Sequence, residues 1–301
     1  MVSAGHDGSY AVRSEDAAAA DIVVAQRWDS PGGVGTWRRM KAFSRLVYEV
    51  DDDVFSIEPQ NWSAYQVYSR ADVQDAVAHS AEVADLVTVS TPPLAEVMRR
   101  FNPNVVVLPN LLPDWMLDLD PPCGERPAVG WMGGASHALD IMVVAGPLRR
   151  FLRRNPGWDA VLIGTDYRNV IKHERCGFIP WTHIGDDAAA YFRSLDYDIA
   201  LAPLLDSPFN RSKSALKALE NSGRGIPVIA SDVEPYRRFI IHGETGYLVR
   251  YEHEWIKYME ELAGDQALRE SMGARAKQVA REHVISRGWQ RWQTAYEELL
   301  T

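Results

Sequence analysis

The chain has 301 residues, enough for one large domain or two of ordinary size, and at 46% hydrophobic and 24% charged it reads as a soluble globular protein. A net charge of −9 argues against wholesale nucleic-acid binding, which needs clustered Lys and Arg, and does not exclude a local basic groove. Two cysteines, Cys123 and Cys176, provide neither a disulfide framework nor zinc spacing and point to a reducing cytoplasm. Met1–Asp21 lacks a charged start followed by an apolar run, and no stretch reaches the roughly 18 apolar residues of a membrane span.

Short apolar runs alternate with helical patterns along the chain. Asp21–Arg27 reads as a strand and Gly35–Ser44 as a helix. Arg45–Val50 is a strand that ends in Asp51-Asp52-Asp53. Ala71–Val83 is helical, Asp85–Ser90 a strand, and Pro92–Phe101 a helix with proline in its first turn. Val105–Asn110 is the next strand. Pro113–Pro127, rich in Pro and Asp, interrupts the series and reads as a linker. A second series follows, with strands at Ala128–Met132, Ala160–Gly164, Gly177–Trp181, Asp198–Leu204, Ile226–Ser231 and Tyr247–Arg250. Helices over Asp265–Glu282 and Ser286–Leu300 close the chain. Such alternation predicts an α/β fold of two facing, doubly wound Rossmann-like domains, with ligands at the carboxyl ends of the strands in the cleft between them. The expected division is residues 1–118, 119–284 and a final helix over 285–301 that crosses back to the first domain.

The segment Phe209–Ser231 carries the strongest chemical signal. It reads as a polar helix start over Asn210–Glu220, a glycine break and a very apolar strand. Lys213, Lys217 and Glu220 are spaced by four and three and share one helix face. Lys213 in a first helical turn opposes the helix dipole, a placement that makes sense beside a bound anion. Two cations, a carboxylate and a helix N-terminus suit a phosphate joined to a hydroxyl-rich group, as in a sugar nucleotide; the plainer reading is a solvated face of Lys–Glu pairs. Gly130–Asp140 follows a strand and opens a helix, so the Gly133–Gly134 backbone can approach an anion, with Ser136 and His137 as further donors. The plainer reading there is a tight turn capped by Ser136 or Asp140. Asp51, Asp52 and Asp53 suit either a divalent metal, acceptor hydroxyls or a strand end in solvent; because the donor features lie in the second half, an acceptor-side or structural role is favoured. Gly33, in Gly32-Gly33-Val34-Gly35, is a further acceptor-side candidate. The remaining histidines, among them His6 and His183, show no metal or triad spacing. No Gly-x-Ser-x-Gly elbow and no Gly-x-Gly-x-x-Gly fingerprint is present.

Together these residues resemble the GT-B glycosyltransferases, specifically the large retaining, nucleotide-sugar-dependent group (glycosyltransferase family 4, group 1-like). The resemblance is most specific from Pro127 to Val249. It rests on Gly130–Asp140, on Glu220 followed by Gly225-Ile-Pro-Val-Ile-Ala-Ser231, and on His242-Gly-Glu-Thr-Gly246. Val47–Asp53, Ser90-Thr91 and Leu108-Pro-Asn110 add matching phrases in the first half. The resemblance implies a hexosyltransferase that uses a nucleotide-diphosphate sugar, UDP- or GDP-linked, with retention. No tightly bound cofactor and no required Mg²⁺ follow from it. It implies that Glu220 binds the ribose hydroxyls, and that Gly133, Gly134 and the backbone of Ser212–Ser214 hold the diphosphate with Lys213. Ile179 and Trp181 would border the base, and His137 would contact the donor phosphate or sugar. A glutamate common in the group eight positions before Glu220 is Ser212 here, so Asn210 or Lys213 would replace it. The acceptor is open among a glycan, a protein and a modified nucleobase. A non-catalytic sugar-nucleotide binder, an epimerase or phosphorylase on the same fold, and a metal-dependent transferase using Asp51–Asp53 are the competing readings.

Overall fold

The computed structural model describes residues 19–182 and 188–301; His6 and His183 lie outside them. The chain divides into two compact units. One comprises residues up to Asn110 together with Arg211–Ser214 and Ser286–Thr301, the other Leu111–Asn210 and Ala215–Ile285.

The first unit is built on four parallel strands in the order β1 (Ile22–Gln26), β2 (Arg45–Val50), β3 (Leu86–Val89) and β4 (Val105–Val107). Between them run α1 (Val34–Met40), α2 (Trp62–Tyr68), α3 (Ala71–Val83) and α4 (Pro92–Met98). The period-2 alternation of β2 explains its burial on both faces. Leu46, Tyr48 and Val50 join the core with Trp37, Val77 and Leu94, whereas Val47 packs with Leu86, Ala295 and Tyr296. The C-terminal segment of the chain thus covers the second face of this sheet.

The second unit holds six parallel strands in the order β10-β9-β8-β5-β6-β7. These are β5 (Ala128–Gly133), β6 (Asp159–Gly164), β7 (Cys176–Pro180), β8 (Ile199–Ala202), β9 (Val228–Ser231) and β10 (Gly246–Val249). The helices in chain order are α5 (Ala138–Arg154), α6 (Arg168–Ile171), α7 (Ala188–Ser194), α8 (Pro208–Arg211), α9 (Leu216–Gly223), α10 (Glu234–Arg237), α11 (Glu252–Gly264) and α12 (Gln266–Ala280). Two short helices, α13 (Ile285–Gly288) and α14 (Gln290–Glu297), end the chain. Cores lie on both faces of the sheet. Val129 and Trp131 of β5 face α5 and α11, and Ala128 and Met132 face Tyr197, Ala218 and Leu219. From β5 the chain winds outward to β6 and β7, then returns to place β8 on the other side of β5. The β5–β8 neighbourhood is therefore the topological switch point, where the loops leaving two adjacent strands diverge and ligands bind in open α/β sheets.

Three sequence expectations are corrected. Pro113–Pro127 is not a free linker: Leu112 and Met116 are buried in the second unit, and Leu112 exchanges backbone bonds with His283 and Ile285. The division accordingly falls at Asn110–Leu111 rather than at 118. No continuous helix spans Asn210–Glu220. The short α8 ends at Arg211 and α9 begins at Leu216, with Ala215 as its N-cap residue. Finally, neither Ser136 nor Asp140 caps α5; its N-cap residue is His137, which makes no side-chain cap bond.

Gly130 shows how tightly β5 is set against its neighbours. A Cβ at this position would lie 2.1 Å from the Tyr197 ring, whose hydroxyl donates to Asn221 Oδ1 on α9 at 2.7 Å. Gly130→Ala is expected to lower stability by about 1–3 kcal/mol, the usual penalty for overpacking a filled core. Denaturant unfolding checks this, and an unchanged midpoint would show that Tyr197 yields without strain.

Candidate active site

Gly133 closes β5 and leads into the loop at the switch point. Its carbonyl accepts the Thr165 N–H at 3.0 Å, and a Cβ here would stand 2.5 Å from the Trp131 ring. The glycine is therefore needed for close approach. Gly134 is extended and a Cβ on it would meet nothing within 4 Å, so its backbone borders open space. Ala135–His137 form a single 3-10 turn before α5. Gly164, opposite Gly133 in the register, has φ +105°, and a Cβ on it would strike Trp181 at 2.5 Å. Glycine satisfies both demands. Trp181 is 43% exposed and lies 5.9 Å from the Tyr191 ring, centroid to centroid. Ile179 in β7 is half-buried against the core on the Tyr191 side.

Asp140, in the first turn of α5, is buried and holds three groups. Its Oδ2 is 2.7 Å from His137 Nδ1, its Oδ1 accepts the Leu205 N–H at 2.9 Å, and Asn210 Nδ2 lies 3.5 Å from the same Oδ1. Asn210 also donates to the Leu205 carbonyl at 3.0 Å. Asn210 thus fastens the loop after β8 to the start of α5. Burial acts to raise the Asp140 pKa, but His137, the Leu205 N–H and the Lys217 charge outweigh it and hold the carboxyl below its ordinary range.

Lys217 and Glu220 stand three residues apart on α9, and neither belongs to a solvated face. The Lys217 Nζ is buried and lies 5.5 Å from the Trp131 ring centroid, a cation–π placement. Glu220 is 7% exposed, and its Oε2 accepts the Tyr191 hydroxyl at 3.0 Å. Burial pushes the Glu220 carboxyl up to about 7, with Tyr191 and Lys217 opposing the rise. Lys217 therefore acts electrostatically on both carboxylates, Asp140 and Glu220.

Lys213 is not in the first turn of α9. With Ser212 and Ser214 it occupies the segment before the helix, so the helix-start N–H groups belong to residues from Leu216 onward. Arg211–Ser214 groups with the first unit, where the Thr91 hydroxyl donates to the Ser212 carbonyl at 2.6 Å and Asn110 Nδ2 donates to Ser214 Oγ at 2.8 Å. Lys213 Nζ is 3.5 Å from Asp52 Oδ1. Asp52 also receives Arg27 Nη2 at 2.9 Å, and Asp51 receives Arg27 Nε at 2.6 Å. The carboxylate of Asp53 accepts the Phe55 N–H at 3.2 Å and caps a 3-10 turn. Asp51–Asp53 therefore divide among cations and a backbone amide, and no group of three or more metal-type ligands occurs among the described residues. Gly33 precedes α1 and packs against Trp28, whose Nε1 a Cβ would approach to 2.5 Å.

The second unit thus contains Gly133, Gly134, Ser136, His137, Ile179, Trp181, Asn210 and Glu220, while Ser212, Lys213, Ser214, Asp51, Asp52, Asp53 and Gly33 belong to the first. Sequence reading assigned no site role to Asp140 or Tyr191, and it placed Lys217 only on the shared face with Lys213 and Glu220. Lys217 was visible three residues before Glu220. Asp140 had the competing signature of a helix cap, and its partner Leu205 is 65 residues away.

Residues 126–265 match the family model described as glycosyl transferases group 1. The D-inositol 3-phosphate glycosyltransferase of Paenarthrobacter aurescens is 36% identical over 110 residues, 36% of this chain and 24% of that protein. Its counterpart in Pseudarthrobacter chlorophenolicus is 36% identical over 107 residues, 35% of this chain and 23% of that protein. The chain therefore matches about a quarter of the length of these relatives. Among solved structures, Anabaena HepE in complex with UDP and glucose superposes with a TM-score of 0.70 at 14% identity, over 94% of this chain and 80% of that one. The pneumococcal O-GlcNAc transferase GtfA in complex with UDP and GlcNAc gives 0.66 at 16% identity, over 93% and 57%. At such identities the likeness is one of fold, and the fold is that of the GT-B glycosyltransferases. Gly130–Asp140, Glu220 and Gly225–Ser231 all lie within the matched residues 126–265.

Proposed function

We propose that this chain, which carries a group 1 glycosyl transferase segment at residues 126–265, moves a hexosyl group from a nucleoside-diphosphate sugar to an acceptor hydroxyl. The observation that carries the reading is the buried pair on α9: a carboxylate bound to Tyr191 and an ammonium over Trp131, beside the switch-point loop. Glu220 would accept the ribose hydroxyls, and Ile179 with Trp181 would border the base, an exposed indole being suited to stacking. The Gly133–Gly134 backbone and Ser136 would line the diphosphate, with His137 beside the sugar. As the glycosidic bond breaks, negative charge grows on the leaving diphosphate. Lys217 and the N–H groups at the starts of α5 and α9 would stabilise it in a largely dehydrated setting.

In this reading this cation and these dipoles neutralise the phosphates without Mg²⁺, UDP or GDP is the carrier, and the anomeric configuration is retained as the family resemblance implies. The acceptor is a glycan, a protein or a modified nucleobase, with Asp51, Asp52, Asp53 and Gly33 on its side. Cys123 and Cys176 are free thiols, and among the described residues no helix is long and apolar enough to cross a membrane. Both observations accord with a cytoplasmic setting.

Calorimetric titration with UDP, GDP, ADP and TDP, each with Mg²⁺ and with EDTA, tests the proposal. Micromolar binding of one of them, equal in both media, is expected. Failure of all four to bind would overturn the donor assignment, and binding only with Mg²⁺ would overturn its metal independence.

A further inference from the structure

Helix α2, in the connection that leaves the carboxyl end of β2, adds no buried side chain to the core of the first unit. None of its seven residues is buried, and Asn61 at its start makes no side-chain cap bond. So short a helix is not stable by itself in water. It is tied down at its far end, where the Tyr68 hydroxyl donates to Asp29 at 2.7 Å and Gln74 donates to the Tyr68 carbonyl at 2.8 Å. Trp62 and Tyr65 precede Tyr68 by six and three residues, so the three rings run along one side of the helix. Trp62, the outermost, is 64% exposed, and Tyr65 is half-buried. A row of aromatic rings left in solvent, on a helix that serves no packing purpose, marks a contact surface.

The charges of this connection select among partners. Residues 46–69 contain no Lys, Arg or His. Of the carboxylates that follow β2, Asp51 and Asp52 are bonded to Arg27, Asp52 also lies 3.5 Å from Lys213, and Asp53 accepts the Phe55 N–H. Among the described residues up to Ser69, Glu58 alone is left with neither a cation nor a backbone donor on its carboxylate. The Asn61 N–H donates to the Glu58 carbonyl at 2.9 Å and closes a turn through Pro59, which brings Glu58 up to the helix. The phosphates of an anionic lipid, a nucleic acid or a phosphorylated polyol find no counter-charge here, and one free carboxylate offers a basic protein little. A neutral sugar fits both features. Its C–H face lies against an aromatic ring, and adjacent hydroxyls donate to one carboxylate.

We propose that the Trp62–Tyr65 face of α2, with Glu58 beside it, binds a sugar residue of a neutral glycan, and that this glycan is the acceptor. The acceptor role rests on the glycosyl-transfer reading; the sugar contact does not. The choice separates a glycan from a protein or a modified nucleobase.

Fluorine NMR of the full chain labelled with fluorotryptophan tests this, the Trp62 signal being assigned by its loss in Trp62→Phe. Maltotriose, cellotriose, mannotriose and triacetylchitotriose are the probes, with no nucleotide present. At least one of them is expected to shift the Trp62 signal. Octalysine, a DNA duplex and phosphatidylglycerol vesicles are expected to leave it in place. Calorimetry with the same oligosaccharide should show binding weakened about tenfold in Trp62→Leu and nearly retained in Trp62→Phe, because the contact needs an aromatic face rather than apolar bulk. Glu58→Gln should weaken it several-fold, through loss of a charged acceptor. With a donor present, Trp62→Leu should raise the KM for that oligosaccharide about tenfold and leave the affinity for the nucleotide unchanged. Failure of all four oligosaccharides to move the signal overturns the proposal, as does a Trp62→Leu chain that binds as well as Trp62→Phe. A shift caused only by octalysine, DNA or vesicles, or by raising the protein concentration alone, overturns the glycan as occupant. If nucleotide binds and no oligosaccharide does, the transfer reading stands and this one fails. If an oligosaccharide binds and no nucleotide does, the transfer reading fails and only the sugar contact stands.

Discussion

Glu220→Gln is expected to stabilise the unliganded protein at pH 8 while weakening its nucleotide binding. The folded carboxyl titrates near 7, against an ordinary value of 4.5, because it is buried. Below about pH 4.5 both folded and unfolded chains carry the proton and the group costs nothing. As pH rises from 4.5 to 7 the unfolded chain releases the proton and the folded one retains it, so stability falls. Above 7 the penalty is complete, at about 3 kcal/mol for a shift of this size. Glutamine removes the ionisation and still accepts the Tyr191 hydroxyl. The variant should therefore gain up to about 3 kcal/mol at pH 8 and less than about 1 kcal/mol at pH 5. Thermal melts at the two pH values provide the comparison. The nucleoside moves oppositely: hydrogen bonds to a charged acceptor contribute about 1.5–3 kcal/mol, so affinity should fall roughly 10- to 100-fold. A residue that costs stability where it is ionised, and repays it only with ligand bound, marks a binding site rather than a structural pair. A variant no more stable than wild type at pH 8 would show that Glu220 is not held as a buried anion there.

Most of the architecture was legible because it depends on local periodicity. Arg45–Val50 is bounded as its alternation predicts, and Ala71–Val83 as its helical spacing predicts. The six strands of the second unit were located to within one residue, apart from the ends of β8 and β9, each trimmed by two. What remained hidden depends on distant partners. Nothing local in Asn210-Arg-Ser-Lys-Ser214 stops a helix: it contains no proline or glycine. It leaves helical geometry where Thr91 takes the Ser212 carbonyl and Asn110 takes Ser214. Those partners lie 121 and 104 residues away. The same break removes Lys213 from the helix face it was expected to share, leaving Lys217 with Glu220. Asp140 was hidden for a related reason. A short acidic residue in a first helical turn ordinarily complements the dipole, and only the fold brings Leu205 and Asn210 to it.

Lys217 therefore carries the second large expectation. Lys217→Met keeps an unbranched side chain over Trp131 and removes the charge. In the unliganded protein Lys217 lowers the pKa of both Asp140 and Glu220, so its loss should let both rise, Glu220 from its present value of about 7. The pH at which nucleotide binding switches on should rise with Glu220. The diphosphate loses a buried cation, and a charge-assisted contact of this kind is worth about 1.5–3 kcal/mol. Affinity for UDP, or for whichever diphosphate the titration selects, should fall about 10- to 100-fold at pH 8. The matching nucleoside, with no phosphate to lose a partner, should be affected mainly through Glu220, and its loss should vanish once the pH is raised enough to ionise that carboxyl again. This difference separates a phosphate ligand from a cation that merely balances two acids. If Lys217 only balanced charge, nucleoside and diphosphate would weaken together and both would recover at high pH. A diphosphate deficit that persists at high pH assigns the ammonium to the phosphates, and an unchanged diphosphate affinity would exclude Lys217 from the site.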